Sequence, residues 1–110
     1  MNARLTTDVW VSAYLTRLRL IDIPVFVTRK GDATAGSVIV KLNTLDGQAQ
    51  AFQRQFDLMS GERTWVTLAE GPEMDVDASL TKQASFDPDL WVIEVEDKQG
   101  RHLLDDPSLA

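Results

Sequence analysis

The densest chemistry in this 110-residue chain lies in one stretch, Arg29-Lys30-Gly31-Asp32-Ala33-Thr34-Ala35-Gly36. Gly31 and Gly36 stand at the glycine spacing of a phosphate-binding loop. The Lys-Ser/Thr pair that should follow is replaced by Ser37-Val38, and a β-branched run comes next, so no helix dipole would face a phosphate. Nucleoside triphosphate binding has no support. A looser anion site survives: small residues allow close backbone approach, Arg29 and Lys30 bring charge, and Asp32 and Thr34 bring polar side chains. The alternative is an ordinary connection with glycines where positive φ is needed. Arg17 stands at the margin of a helical stripe. Either it points towards this loop, or its stem covers apolar surface while its head reaches water.

Other candidates are thinner. Trp65 alternates against Val66 and Leu68, so it faces away from them as an exposed aromatic anchor, unless its own side is the buried one. His102 is the single histidine, beside Arg101 and close in sequence to Asp105 and Asp106. As a general base it would need a carboxylate partner. No serine has a Gly-x-Ser-x-Gly context, so a hydrolase triad is unsupported. The acidic pairs Asp75/Asp77, Asp87/Asp89, Glu94/Glu96 and Asp105/Asp106 lack calcium-loop spacing. On a helix, positions two apart diverge. No metal and no cofactor are expected.

The chain has no cysteine, which excludes disulfides, thiolate chemistry and Cys-based zinc sites. Net charge is −6. Residues 1–41 hold six basic against three acidic residues, a balance of +3; the remainder holds five against fourteen, a balance of −9. The overall charge opposes nucleic-acid binding, while the basic first part leaves room for one local anion-binding patch. The apolar runs are shorter than a membrane span, and the first residues contain no apolar leader. A cytoplasmic protein with no membrane partner is the expectation.

The elements that would position these residues follow from periodicity. Trp10, Tyr14, Leu18 and Ile21 recur at helical spacing over residues 8–22, and Pro24 ends that helix. Strands are expected at 24–29, 37–44, 48–58 and 63–69, with Asp46-Gly47 as a tight turn. In the third, Phe52 and Phe56 alternate with Ala51, Gln53 and Gln55. Pro72 opens a second helix, with Glu73, Asp75 and Asp77 near its start and Val76, Leu80 and Ala84 as its stripe. Residues 90–96 form a fifth strand, 101–104 a short edge strand, and 105–110 a loose tail. The order α-β-β-β-β-α-β makes one domain over residues 1–110, with its core at about 7–104. The expected fold class is α+β: a two-layer sandwich of a mostly antiparallel, five-stranded meander with both helices on one face.

Several segments together carry a family likeness: Val-Trp-Val-Ser-Ala-Tyr-Leu-Thr-Arg-Leu-Arg-Leu (9–20), the 29–36 loop, Glu-Arg-Thr-Trp-Val (62–66) and Phe-Asp-Pro-Asp-Leu-Trp-Val-Ile-Glu-Val-Glu-Asp (86–97). The chain resembles the DUF1491 family, small uncharacterised bacterial proteins found mainly in alphaproteobacteria. The resemblance implies a bacterial cytoplasmic setting and brings no activity and no catalytic residues. Three readings of function follow. The first is a non-enzymatic binding or adaptor module using Arg17, Arg29, Lys30, Asp32, Thr34 and Trp65 on an anionic ligand or protein partner. The second is a small enzyme for a phosphorylated or nucleic-acid substrate, with Asp32 or His102 as acid/base. The third is a homodimer or larger homo-oligomer joined through a strand edge or polar sheet face.

Overall fold

A computed structural model describes residues 5–109. The elements are α1 (Thr7–Leu20), β1 (Val25–Arg29), β2 (Val38–Asn43), β3 (Gln48–Phe56), β4 (Arg63–Pro72), α2 (Glu73–Phe86), β5 (Trp91–Glu96) and a 3-10 turn at Pro107–Leu109. The α+β class, the five strands and the element order are those expected from periodicity and turn residues.

The strands do not meander in sequence. They lie in the order β1-β5-β2-β3-β4. The last strand enters between the first two, antiparallel to β1 and parallel to β2. Its apolar content explains the position, because Trp91, Val92, Ile93 and Val95 are buried on alternating faces. A strand that is apolar on both sides belongs at the centre. β2 is the other central strand and is buried along its whole length.

The helices lie on opposite faces of the sheet, not on one. Val38, Val40 and Leu42 join Trp10, Val11, Tyr14 and Leu18 of α1 in one cluster. Ile39 joins Ala49, Ala51 and Val92 under Val76 and Leu80 of α2 in a second. The physical reason is that small apolar residues at alternate positions give the strands a second burial face. α2 connects β4 to β5 across it, while α1 already fills the first face. Phe52 and Phe56 draw the eye to one side of β3, but Ala49 and Ala51 do equal work on the other.

Residues 105–109 are not a loose tail. Leu104 and Leu109 are buried in the α1 cluster. The Trp10 indole Nε1–H donates to the Leu109 carbonyl at 2.8 Å, and the Tyr14 hydroxyl donates to the His102 carbonyl at 2.7 Å. Each bond removes an otherwise unsatisfied buried donor. No strand forms at 101–104. Instead Asp97 accepts from both the backbone and guanidinium of Arg101 and turns the chain back towards α1.

Candidate functional site

The 29–36 loop is tied into the fold at both ends. The Arg29 guanidinium donates from Nε to the Leu90 carbonyl at 3.1 Å and from Nη2 to the Pro88 carbonyl at 3.3 Å. Asp32 accepts from the Thr34 and Ala35 amides at 3.2 and 2.8 Å, so its carboxylate closes its own turn. The glycines serve packing. A Cβ on Gly31 or Gly36 would sit 2.1 or 2.4 Å from the Asp89 carbonyl oxygen, well inside van der Waals contact distance. The Thr34 and Ala33 carbonyls accept from the Thr7 and Asp8 amides, capping the first turn of α1. Lys30 is exposed. Arg17 points to the C-terminal segment, where it pairs with Asp106 at 3.2 Å.

The two alternative acid/base candidates are each engaged in local contacts, Asp32 in its own turn and His102 elsewhere. The His102 ring leans on Phe52 with centroids 4.8 Å apart, and its Nδ1 accepts from the Leu104 amide at 3.0 Å. Burial pushes its pKa below the usual histidine value, and the nearby Asp105 charge only partly opposes this.

The structure gathers a different constellation beside the far end of that loop. A cavity of about 1150 Å³ opens between the start of α1, Thr34–Ser37, and the β3–β4 hairpin. Arg54, Phe56, Arg63, Thr34, Ser37 and Trp10 are among its lining residues, and Glu62 is the one carboxylate in that lining. Behind it stands Trp65, the cross-strand partner of Arg54 in the β3–β4 ladder. Trp65 is half-buried and faces α1, so it is no exposed anchor. The Arg54 guanidinium carbon lies 4.7 Å from the Trp10 ring centroid and 5.1 Å from that of Trp65, and the two rings are 5.5 Å apart. Trp10 itself stacks on Tyr14.

Arg54 Nε and Nη2 and Trp65 Nε1 are buried donors with no hydrogen-bond acceptor among the described residues. Among the described residues no carboxylate pairs with Arg54. Burial, then the Arg63 charge, lower the Arg54 pKa to about 10, so the group remains a cation at neutral pH. Cation–π attraction to two tryptophans offsets part of its desolvation. Of the six residues expected from sequence, Thr34 and Trp65 belong to this neighbourhood; Arg17 and Arg29 are engaged elsewhere. Arg54 and Arg63 are not among those six. The available signal was position: Arg54 shares its strand face with Phe52 and Phe56, and an arginine on an apolar face calls for explanation.

A second buried charge serves the fold. Lys41, with 5% of its side chain exposed, puts Nζ 2.7 Å from Glu73, 2.7 Å from Asp77 and 3.2 Å from Glu94. Burial works against its charge, but hydrogen bonds to Asp77, Glu73 and Glu94 outweigh it and raise its pKa. The cluster pins the first turns of α2 to the sheet. Among the described residues no three side chains are placed to hold a metal ion, and no helix is long and apolar enough to cross a membrane.

Comparison with known proteins gives the chain a family. Among curated proteins none matches significantly. A crystal structure of a DUF1491 family protein from Caulobacter crescentus CB15 is 42% identical, with a TM-score of 0.85 over 94% of this chain and 98% of that one. An NMR structure of a DUF1491 family protein from the same organism is 41% identical, with a TM-score of 0.83 over 96% and 97%. The solution structure of protein Atu0922 from A. tumefaciens is 28% identical, with a TM-score of 0.77 over 93% of each chain. The family model described as protein of unknown function (DUF1491) matches residues 5–105, and the chain belongs to that family.

Proposed function

We propose that this protein is a cytoplasmic, non-enzymatic binding module whose cleft beside the β3–β4 hairpin receives an anionic ligand or the anionic group of a partner. The observation that carries this reading is the donor-only cluster at the cleft: two Arg54 N–H groups and the Trp65 indole N–H lack acceptors. Leaving such groups buried and unpaired costs about 1–3 kcal/mol each. An anion is the ligand class that supplies acceptors and no competing donors. The far end of the 29–36 loop and the residue after it contribute Thr34 and Ser37 as one wall of the cleft. The rest of the loop holds that wall against β5 and α1, which gives Arg29 and Asp32 a positioning role.

The test is a titration of the full chain with citrate, inorganic phosphate and a polyglutamate peptide, read by tryptophan emission. Trp10 and Trp65 bracket Arg54, so an anion arriving there alters their surroundings. At least one anion is expected to give a saturable change that is lost on Arg54→Met. Absence of any saturable change, or a change indifferent to Arg54→Met, overturns the reading.

A further inference from the structure

Three arginines in the chain show how the same edge of a guanidinium is used. Arg101 lays Nε and Nη2 on the two oxygens of Asp97, at 3.0 and 3.1 Å. Arg29 lays the same two nitrogens on the Leu90 and Pro88 carbonyls. In Arg54 that pair of nitrogens meets no acceptor among the described residues. Nε–H and Nη2–H run parallel, and the pair is shaped to grip two oxygens of one planar or tetrahedral oxyanion. Arg54 is therefore a fork already oriented and lacking its oxyanion.

From this, and resting on the anionic reading above, we propose that the ligand is an organic phosphate monoester held through its phosphate by Arg54. A carboxylate has oxygens enough for the fork alone. A phosphate keeps a third oxygen, and carries a charge of about −2 near neutral pH. The cleft offers matching groups: a second guanidinium, Arg63, on the adjacent strand, and the Thr34 and Ser37 hydroxyls on the facing wall. The proximity of the two cations already tells on Arg54, whose proton affinity Arg63 lowers. A bare ion would leave most of a cavity of about 1150 Å³ empty. Phe56, 49% exposed and in the same lining, presents apolar surface to the organic part of an ester. The fork is closed to water, so the phosphate reaches it only as neighbouring side chains of the hairpin yield. Binding is thus coupled to a rearrangement around Trp10 and Trp65.

The experiment titrates the full chain with AMP, ribose phosphate, inorganic phosphate, adenosine and glutarate, by tryptophan emission and calorimetry. AMP or ribose phosphate is expected to saturate, inorganic phosphate to bind more weakly, and adenosine and glutarate to be silent. Arg54→Lys, which keeps the charge and removes the fork, weakens ester binding by about tenfold or more. Arg63→Gln weakens it in the same direction, and it stands in as the decisive variant if Arg54→Lys loses its far-UV circular dichroism or its cooperative melt. Silence of both esters overturns the proposal, as does ester binding indifferent to these variants, or adenosine binding as well as AMP. Saturation by glutarate without the esters overturns the phosphate assignment and leaves the anionic reading standing. Failure of every anion here and in the citrate panel removes both.

Discussion

Arg54 holds its place against its own solvation. Two of its N–H groups are buried without acceptors, and the tryptophan rings on either side return only part of that energy. Methionine would fill similar space between the rings and leave no donor orphaned. Arg54→Met is therefore expected to raise the stability of the ligand-free protein by about 1 kcal/mol, or about 4 °C in thermal midpoint, measured by calorimetry. Destabilisation would mark Arg54 as a structural staple. His102 gives a second residue-scale expectation. Its folded pKa lies below the usual histidine value, because burial disfavours the imidazolium and Nδ1 must stay unprotonated to accept from Leu104. As pH falls through about 6.5, the unfolded chain takes up this proton first, so stability declines below that value. Denaturant melts on either side of that value show the loss, and His102→Gln removes that part of it. The aspartates whose pKa values are lowered by hydrogen bonds, such as Asp97 and Asp106, contribute losses only at more acid pH. At this scale the sequence is a poor guide. The charge run at 29–30 stands out by composition, whereas Arg54 is defined by what surrounds it, and two of those neighbours come from other elements.

At the scale of elements, α2 depends on one buried cation. Its apolar stripe is thin, with only Val76 and Leu80 buried. Lys41 compensates by drawing Glu73 and Asp77 of the helix, together with Glu94 of β5, onto one ammonium. Removing that cation leaves three carboxylates facing one another. Lys41→Met is expected to destabilise the protein by about 3 kcal/mol, read as a lowered urea midpoint. Because the Lys41 pKa is raised, its contribution is present below the unfolded lysine pKa and is lost only as pH climbs past it. The loop before β2 depends on close approach. Gly31→Ala drives a methyl group into the Asp89 carbonyl, with an expected loss of about 2 kcal/mol in the same assay. Helices and strands themselves were legible, because Trp10, Tyr14 and Leu18 repeat at 3.6 residues and Trp91, Ile93 and Val95 at two. The partner of each face was not. Nothing local to Val76 and Leu80 states which side of the sheet they cover; that depends on Ile39, Ala49 and Ala51, small residues easily passed over beside phenylalanines.

At the scale of the whole molecule, the sheet is mixed and its two outer strands differ. β1 is short and its register with β5 shifts between Val27 and Arg29, whereas β4 runs from Arg63 to Pro72 and bulges at Leu68, where the register with β3 shifts. A bulge bends an outer strand and blunts pairing with other chains. The strand order itself was hidden from sequence. Turn residues report which strands are joined by tight hairpins, as β2 with β3 and β3 with β4, and they say nothing of where a strand arriving after a helix will insert.

That insertion has a consequence for how the chain comes into being. β1 and β2 are made early, yet they are not neighbours in the sheet; β1 and the free edge of β2 wait for β5 to emerge, and α1 waits longer still for Leu104 and Leu109 to cover it. A nascent chain ending at Phe86 would display an unpaired β1 and one open edge of β2 without their common neighbour. Assembly of the α1 cluster must therefore wait until Leu109 has been made. Contacts this distant along the chain slow that final collapse, and a stalled or prematurely released polypeptide is exposed to aggregation in the interval.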